Sequence, residues 1–192
     1  IVPYGDVTVD SVGKASGLGD VDFLVTIKPL DWESGYLNFG VSTTIPAGTY
    51  SASSAMNMGN NRWAFDPHLK LWQTIRRFNI DLWAEMLFYT DNSDYAGGTL
   101  EKDLAFFSEV HFAYLINPEK VMFASLGLGG AWGGEEEVNG VKNNKMGDYA
   151  VKAAFGMNIT EDIQLTISYR HDLHVENDIK ANQFLARLMF VM

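Results

Sequence analysis

Apolar and polar residues alternate with a period of two along most of this 192-residue chain, the spacing of β-strands, whose successive side chains point to opposite faces. In 103–116, Leu104, Phe106, Val110, Phe112, Tyr114 and Ile116 share one parity, against Asp103, Glu109 and His111 on the other. In 162–172, Ile163, Leu165, Ile167 and Tyr169 face away from Asp162, Gln164, Thr166, Ser168, Arg170 and Asp172. The same split sets Val21, Phe23, Val25 and Ile27 against Asp20, Asp22, Thr26 and Lys28, and Ile80, Leu82, Met86 and Phe88 against Asp81 and Glu85. Residues 62–71 carry it too, with Arg62, Asp66, His68 and Lys70 on one side and Trp63, Phe65, Leu69 and Leu71 on the other. Period-two runs bounded by turn signals predict about ten strands, near 1–10, 20–28, 35–45, 62–74, 79–90, 103–116, 120–132, 147–158, 162–172 and 180–192.

The connectors come in two kinds that alternate. Residues 29–34, 75–78, 117–119 and 160–161 are short, whereas 46–61, 91–102 and 133–146 are long, polar and rich in Gly, Asn, Asp and Glu. An antiparallel up-and-down barrel with one plain rim and one elaborated rim gives that rhythm. The expected fold is therefore all-β, a single domain over 1–192. Pro67 cannot donate to a ladder, so it should mark a bulge or a local gap.

Period two alone also fits a soluble barrel whose oily face is its core. Three features favour a membrane. Most strands approach the roughly nine to eleven residues of a tilted membrane strand. The aromatics Trp63, Phe65, Phe88, Tyr114, Trp132 and Phe190 fall near strand ends on the oily parity, as in lipid-interface girdles. The last run keeps Phe184, Leu188, Phe190 and Met192 in one register to the end of the chain. On this reading Asp22, Arg62, Asp66, His68, Lys70, Asp81, Glu85, Glu109, His111, Lys152, Arg170 and Arg187 line a polar lumen. A charge on the lipid face costs about 2–4 kcal/mol at the midplane, which enforces the parity.

Composition agrees: 47% of residues are hydrophobic, 13% are aromatic and 18 are glycine, suiting a turn-rich all-β chain. The net charge of −10 and the lack of a basic stripe argue against a nucleic-acid partner. With no cysteine, disulfides, thiol nucleophiles and thiolate metal sites are excluded. The chain begins at Ile1 without an initiator Met, as expected of a processed protein or of part of a longer chain.

Four segments carry a family resemblance: ASGLGD (15–20), MGNNRWAFDP (58–67), YTDNSDYAGG (89–98) and HDLHVENDIKANQFLARLMF (171–190). In order and spacing they resemble, over nearly the whole chain, the family associated with the meta pathway of phenol degradation. The matching positions are Gly17, Gly19, Asp20, Gly59, Asn60, Asn61, Trp63, Pro67, Asp94, Tyr95 and Gly98, mostly turn and strand-entry sites. The resemblance implies a Gram-negative outer-membrane β-barrel that admits small hydrophobic or aromatic molecules. It also implies contact with membrane lipid and lipopolysaccharide, and leaves the strand number open between the ten visible here and twelve in a longer chain. Met192 stands where such barrels usually end on an aromatic residue.

Candidate chemistry is sparse. His68 beside Asp66 and His111 beside Glu109 fit a pH-sensitive constriction, but a static network pairing Asp22, Asp66, Asp81, Glu85 and Glu109 with Lys70, Lys152, Arg170 and Arg187 is favoured. His171, Asp172 and His174 at the elaborated rim lack a serine or second acidic cluster at a recognisable spacing, so no enzyme is expected. The acidic stretches Asp91–Asp94 and Glu135–Glu137 lack the spacing of a calcium loop, and no metal or cofactor is expected. Gly127, Gly129, Gly130, Gly133 and Gly134 precede no helix, and fit a tightly bent strand with close backbone approach better than a phosphate loop. The expectation is a passive channel. The alternative is a non-transporting structural or adhesion barrel acting through its long loops.

Overall fold

The computed structural model describes residues 3–9, 13–117, 121–143, 145–176 and 180–190. Among them the regular structure is entirely strand: β1 (Tyr4–Val9), β2 (Gly13–Leu18), β3 (Val21–Trp32), β4 (Gly35–Ile45), β5 (Ala64–Ile75), β6 (Phe78–Tyr89), β7 (Asn92–Tyr95), β8 (Gly98–Lys102), β9 (Ala105–Asn117), β10 (Met122–Gly133), β11 (Glu136–Val138), β12 (Val141–Asn143), β13 (Met146–Asn158), β14 (Ile163–His174) and β15 (Asn182–Phe190).

Nine of them form one antiparallel meander in the order β15-β14-β13-β10-β9-β6-β5-β4-β3. Each wall strand follows an expected one, and the short connectors are tight turns such as Glu33-Ser34 and Arg76-Arg77, where Arg76 takes φ 57°. The connector expected over 29–34 is shorter than that, because β3 continues through a bulge between Ile27 and Leu30 that absorbs Pro29. The connector 117–119 and the terminal pair 191–192, with Met192, fall partly or wholly outside the described residues.

The wall differs from the expected ten strands in one place. The run expected over 1–10 is β1, which pairs with β2 as a separate hairpin instead of joining the wall. Thr49 N donates to Leu18 O and Gly19 N to Pro3 O, so the hairpin is tied to loop 46–61 at the elaborated rim. Asp20, buried where β3 begins, accepts from Gly48 N (3.0 Å) and Asn60 N (2.7 Å), clamping both ends of that loop. The edges of the wall are β3 and β15, not paired with one another among the described residues.

Two of the stretches expected as loops are built. Residues 91–102 and 133–146 contain hairpins β7-β8 and β11-β12, joined through β8 and β11 into a four-stranded sheet on the rim. Their turns, Ala96-Gly97 (φ 48°, 81°) and Asn139-Gly140 (φ 51°, 81°), have the two positive φ values of a tight hairpin turn. Asn92, in the acidic stretch Asp91–Asp94, is fully buried and bonds Tyr50, Asn60 and Asn61.

Candidate functional site: the inner face of the wall

From β4 to β14 the expected parity shows in exposure: outward residues such as Phe65, Leu69, Leu82, Phe112, Leu126 and Leu128 are exposed, Leu126 at 69%, and the charged parity is more covered, whereas on the edge strands β3 and β15 both parities are exposed. Of the six girdle aromatics, Trp63 stacks on Phe65 (6.1 Å), Phe65 pairs across the strands with Phe88, and Trp132 Nε1 donates to Tyr149 Oη (2.9 Å) near the elaborated rim. Tyr114 packs on Phe78 (5.1 Å) at the plain rim, and Phe190 is exposed at the end of β15.

Residues from β5 round to β15 enclose one cavity of about 770 Å³, which places the polar face on the concave side of the sheet. Most of its charges are paired. Glu109 is held between His111 and Lys152, and Lys70 Nζ lies 3.2 Å from Asp81. These pairs realise part of the expected network. Arg170 pairs with Asp172 (2.9 Å) instead of a carboxylate of that set, and Asp22 accepts from Thr44 Oγ1 (2.8 Å). Glu85 accepts from Trp83 Nε1 (2.8 Å). Arg187 lines the cavity and, among the described residues, has no carboxylate within ion-pair distance, its Nη2 lying 3.9 Å from Met189 Sδ. Arg62 sits higher, just before β5, beside Glu136 of the rim sheet.

His68 does not meet the Asp66 carboxylate. Same-face neighbours on a strand stand roughly 6–7 Å apart, and the ring turns to stack on Trp83 (4.4 Å) with Nδ1 against the Asp66 backbone oxygen (3.2 Å). It lies over Gly40, its cross-strand partner, just as His111 lies over Gly127, Glu109 against Gly129 and Phe123 over Gly156. The lumen glycines therefore make room for neighbouring side chains. For Gly127 this replaces the expected backbone approach, which holds at Gly129 (against Ser108 O, beside the Glu109 carboxylate), Gly130 (against Asp148 O) and Gly133 (against Leu104 O), while Gly133 and Gly134 take positive φ.

Sequence reasoning missed the aromatic content of the lumen. Trp72, Trp83, Phe107 and Phe123 line the cavity beside the charges. Their signal was their parity: Trp83 stands between Asp81 and Glu85, and Phe107 two residues before Glu109.

At Pro67 the ladder to β6 skips the pairs at 66 and 67 and resumes at His68–Glu85 without a register shift, while pairing to β4 is continuous. The expected irregularity is thus a gap and not a bulge. A hollow of about 370 Å³ opens there, where the outward Pro67, Leu69 and Met86 meet the inward His68 and Glu85. At the rim, His171 faces outward and bonds Asn182 Oδ1 (2.7 Å) while Asp172 faces inward, so the two do not form a shared centre. Among the described residues no cluster of three His, Asp or Glu could hold a metal ion.

A transmembrane up-and-down wall with its oily face outward and its charges inward is the architecture of a Gram-negative outer-membrane β-barrel protein, and the comparisons place the chain in that class. It belongs to the family described as "Putative MetA-pathway of phenol degradation", whose model matches residues 1–188. The fold is similar to that of an outer membrane channel from Pseudomonas putida F1, with a TM-score of 0.85 and 27% identity over 97% of this chain and 72% of the other. No curated protein matches the sequence.

Proposed function

We propose that this protein is a passive outer-membrane channel for small hydrophobic or aromatic molecules, working as one unit with no cofactor and no covalent step. The observation that carries the proposal is the inner cavity: about 770 Å³, walled by Trp72, Trp83, Phe107 and Phe123 beside paired charges. That volume lies within the usual range for a small-molecule site. Aromatic faces offer an oily solute weak contact at each step, and the Glu109–His111–Lys152 and Lys70–Asp81 groupings let the lumen stay wet with little net charge. About eight strands leave an interior filled by side chains and open aqueous channels come at roughly sixteen, so a barrel of ten or twelve gives a narrow passage. The outer hollow at the Pro67 gap offers oily molecules a short way toward the lipid. Support for the channel reading also comes from the likeness to the Pseudomonas putida protein, which is an outer membrane channel.

Single-channel recording in a planar lipid bilayer tests this. Small stable current steps are expected, reduced in a concentration-dependent way by a small aromatic solute. Silence from protein shown to be folded and inserted would contradict the proposal. The ordered four-stranded rim sheet favours a second reading, a structural or adhesive barrel. Removing 133–146 separates the two, since conductance should survive the deletion and partner binding should not.

A further inference from the structure

On the outer face of β6, β9 and β10 the register sets three rows of paired residues side by side. Met86, Phe106 and Trp132 form the row nearer the elaborated rim, and Leu82, Val110 and Leu128 the row nearer the plain rim. Between these rows of large side chains stand Ala84, Ser108 and Gly130. The middle row is therefore a furrow, which ends at Leu69 on β5, beside the Pro67 gap, and at Tyr149 on β13. Two hollows open on it, of about 370 Å³ toward β5 and about 530 Å³ toward β13, and Ala84, Ser108 and Trp132 line both. The Trp132 ring leans down over the furrow, with Cζ2 only 2.8 Å from where a Cβ on Gly130 would stand.

We infer that this furrow seats one acyl chain of lipid A, the anionic glycolipid of the outer leaflet. Outer-membrane barrels carry their long loops on the extracellular side, so the elaborated rim faces away from the cell. The furrow lies about 7 Å along the strands below the row of Phe106 and Trp132, which is the depth at which acyl chains of the outer leaflet begin. A chain laid on a flat wall touches protein on one side only. In the furrow it touches the floor and both flanking rows, and an empty recess forfeits those contacts. Small residues serve the same end between membrane helices, by allowing close approach. At the β14 end Leu173 lines the larger hollow, and Lys180 Nζ donates to its backbone oxygen (2.9 Å). A cation thus stands beside the seat for the phosphates of lipid A. Of the acids near it in sequence, Asp172 is turned inward to Arg170 and Ala181, and Glu176 lies over Gly147 on β13. The inference rests on the place of the wall in the outer membrane and not on the channel reading.

Native mass spectrometry of the full chain released from detergent tests it, with hexa-acylated lipid A and dioleoyl phosphatidylethanolamine added in turn. One lipid A should stay on each protein, held at least fivefold more than the phospholipid. Ser108→Phe and Ala84→Phe, each checked for folding by its gel mobility before and after heating, fill the furrow and should cut the retained lipid A at least fivefold. Ala124→Phe, on the same outer face but nearer the plain rim, where it pairs with Tyr114, should leave retention unchanged. No retained lipid, equal retention of the phospholipid, equal loss through Ala124→Phe, or retention untouched by both furrow substitutions would each overturn the inference. So would a second copy of the protein in the furrow, seen as a dimer that Ser108→Phe dissociates.

Discussion

An alanine at Gly127 should collide with His111. The Cβ would stand 2.6 Å from two atoms of the imidazole, where ordinary contact begins at 3.4 Å, so the ring must move by most of an ångström. It cannot do so freely, because Nε2 is bonded to Glu109, which also holds Lys152. Overpacking of this kind costs about 1–3 kcal/mol, and disturbing a hydrogen bond to a charged group adds about 1.5–3 kcal/mol before allowance for solvent. His111 is 28% exposed on its side chain, which reduces the second contribution. The lower chain entropy of alanine returns about 0.5–1 kcal/mol. The expected net loss is about 1–3 kcal/mol, read from urea unfolding of the protein in lipid vesicles by tryptophan fluorescence. In a His111→Ala background the same substitution should cost less than about 0.5 kcal/mol, giving a coupling of at least about 0.5 kcal/mol. Equal cost in both backgrounds would refute the idea that Gly127 exists to seat the ring.

Asp20→Ala removes the acceptor of two backbone N–H groups and should cost about 1–3 kcal/mol, with faster hydrogen exchange confined to the amides of Gly48 and Asn60. Pro67→Ala supplies the N–H missing from the β5–β6 ladder, so unfolding should become harder by up to about 1.5 kcal/mol, and exchange at Glu85 and Met86 should slow. Leu126→Arg, on the exposed outer face near mid-strand, should destabilise insertion by about 2–4 kcal/mol, whereas Ser125→Arg, lining the cavity, should alter ion selectivity more than stability; similar losses from both would count against the assigned faces.

The wall was legible because a period-two pattern is a direct record of two different solvents, and every wall strand from β3 to β15 carries it. Pro67 was legible for the same kind of reason, since a residue without an N–H interrupts one ladder wherever it lies. The rim was less so. Asn139-Gly140 is a strong hairpin signal, yet β11 and β12 are three residues each, too short for alternation to register, and they are held by pairing with β8, which is remote in sequence. β1 showed its period but not its partner, because a strand pattern does not say which neighbour it pairs with. At the site, sequence identified the charged parity and left the pairing open. His68 stands two residues from Asp66, and what drew its ring away is Gly40 and Trp83 on neighbouring strands. The lumen aromatics escaped because oily residues on a polar face are read as exceptions until the cavity gives them a common surface.

The most direct test of the account is aqueous access along β10 and its neighbour β9. The chain has no cysteine, so single thiols introduced as Ser125→Cys and Ala113→Cys on the inner parity, and as Leu126→Cys and Phe112→Cys on the outer, can each be challenged in sealed lipid vesicles with a small membrane-impermeant maleimide. The account predicts rapid labelling at 113 and 125 and protection at 112 and 126. Labelling of 112 and 126 with protection at 113 and 125 would show that the charged face does not line a wet lumen.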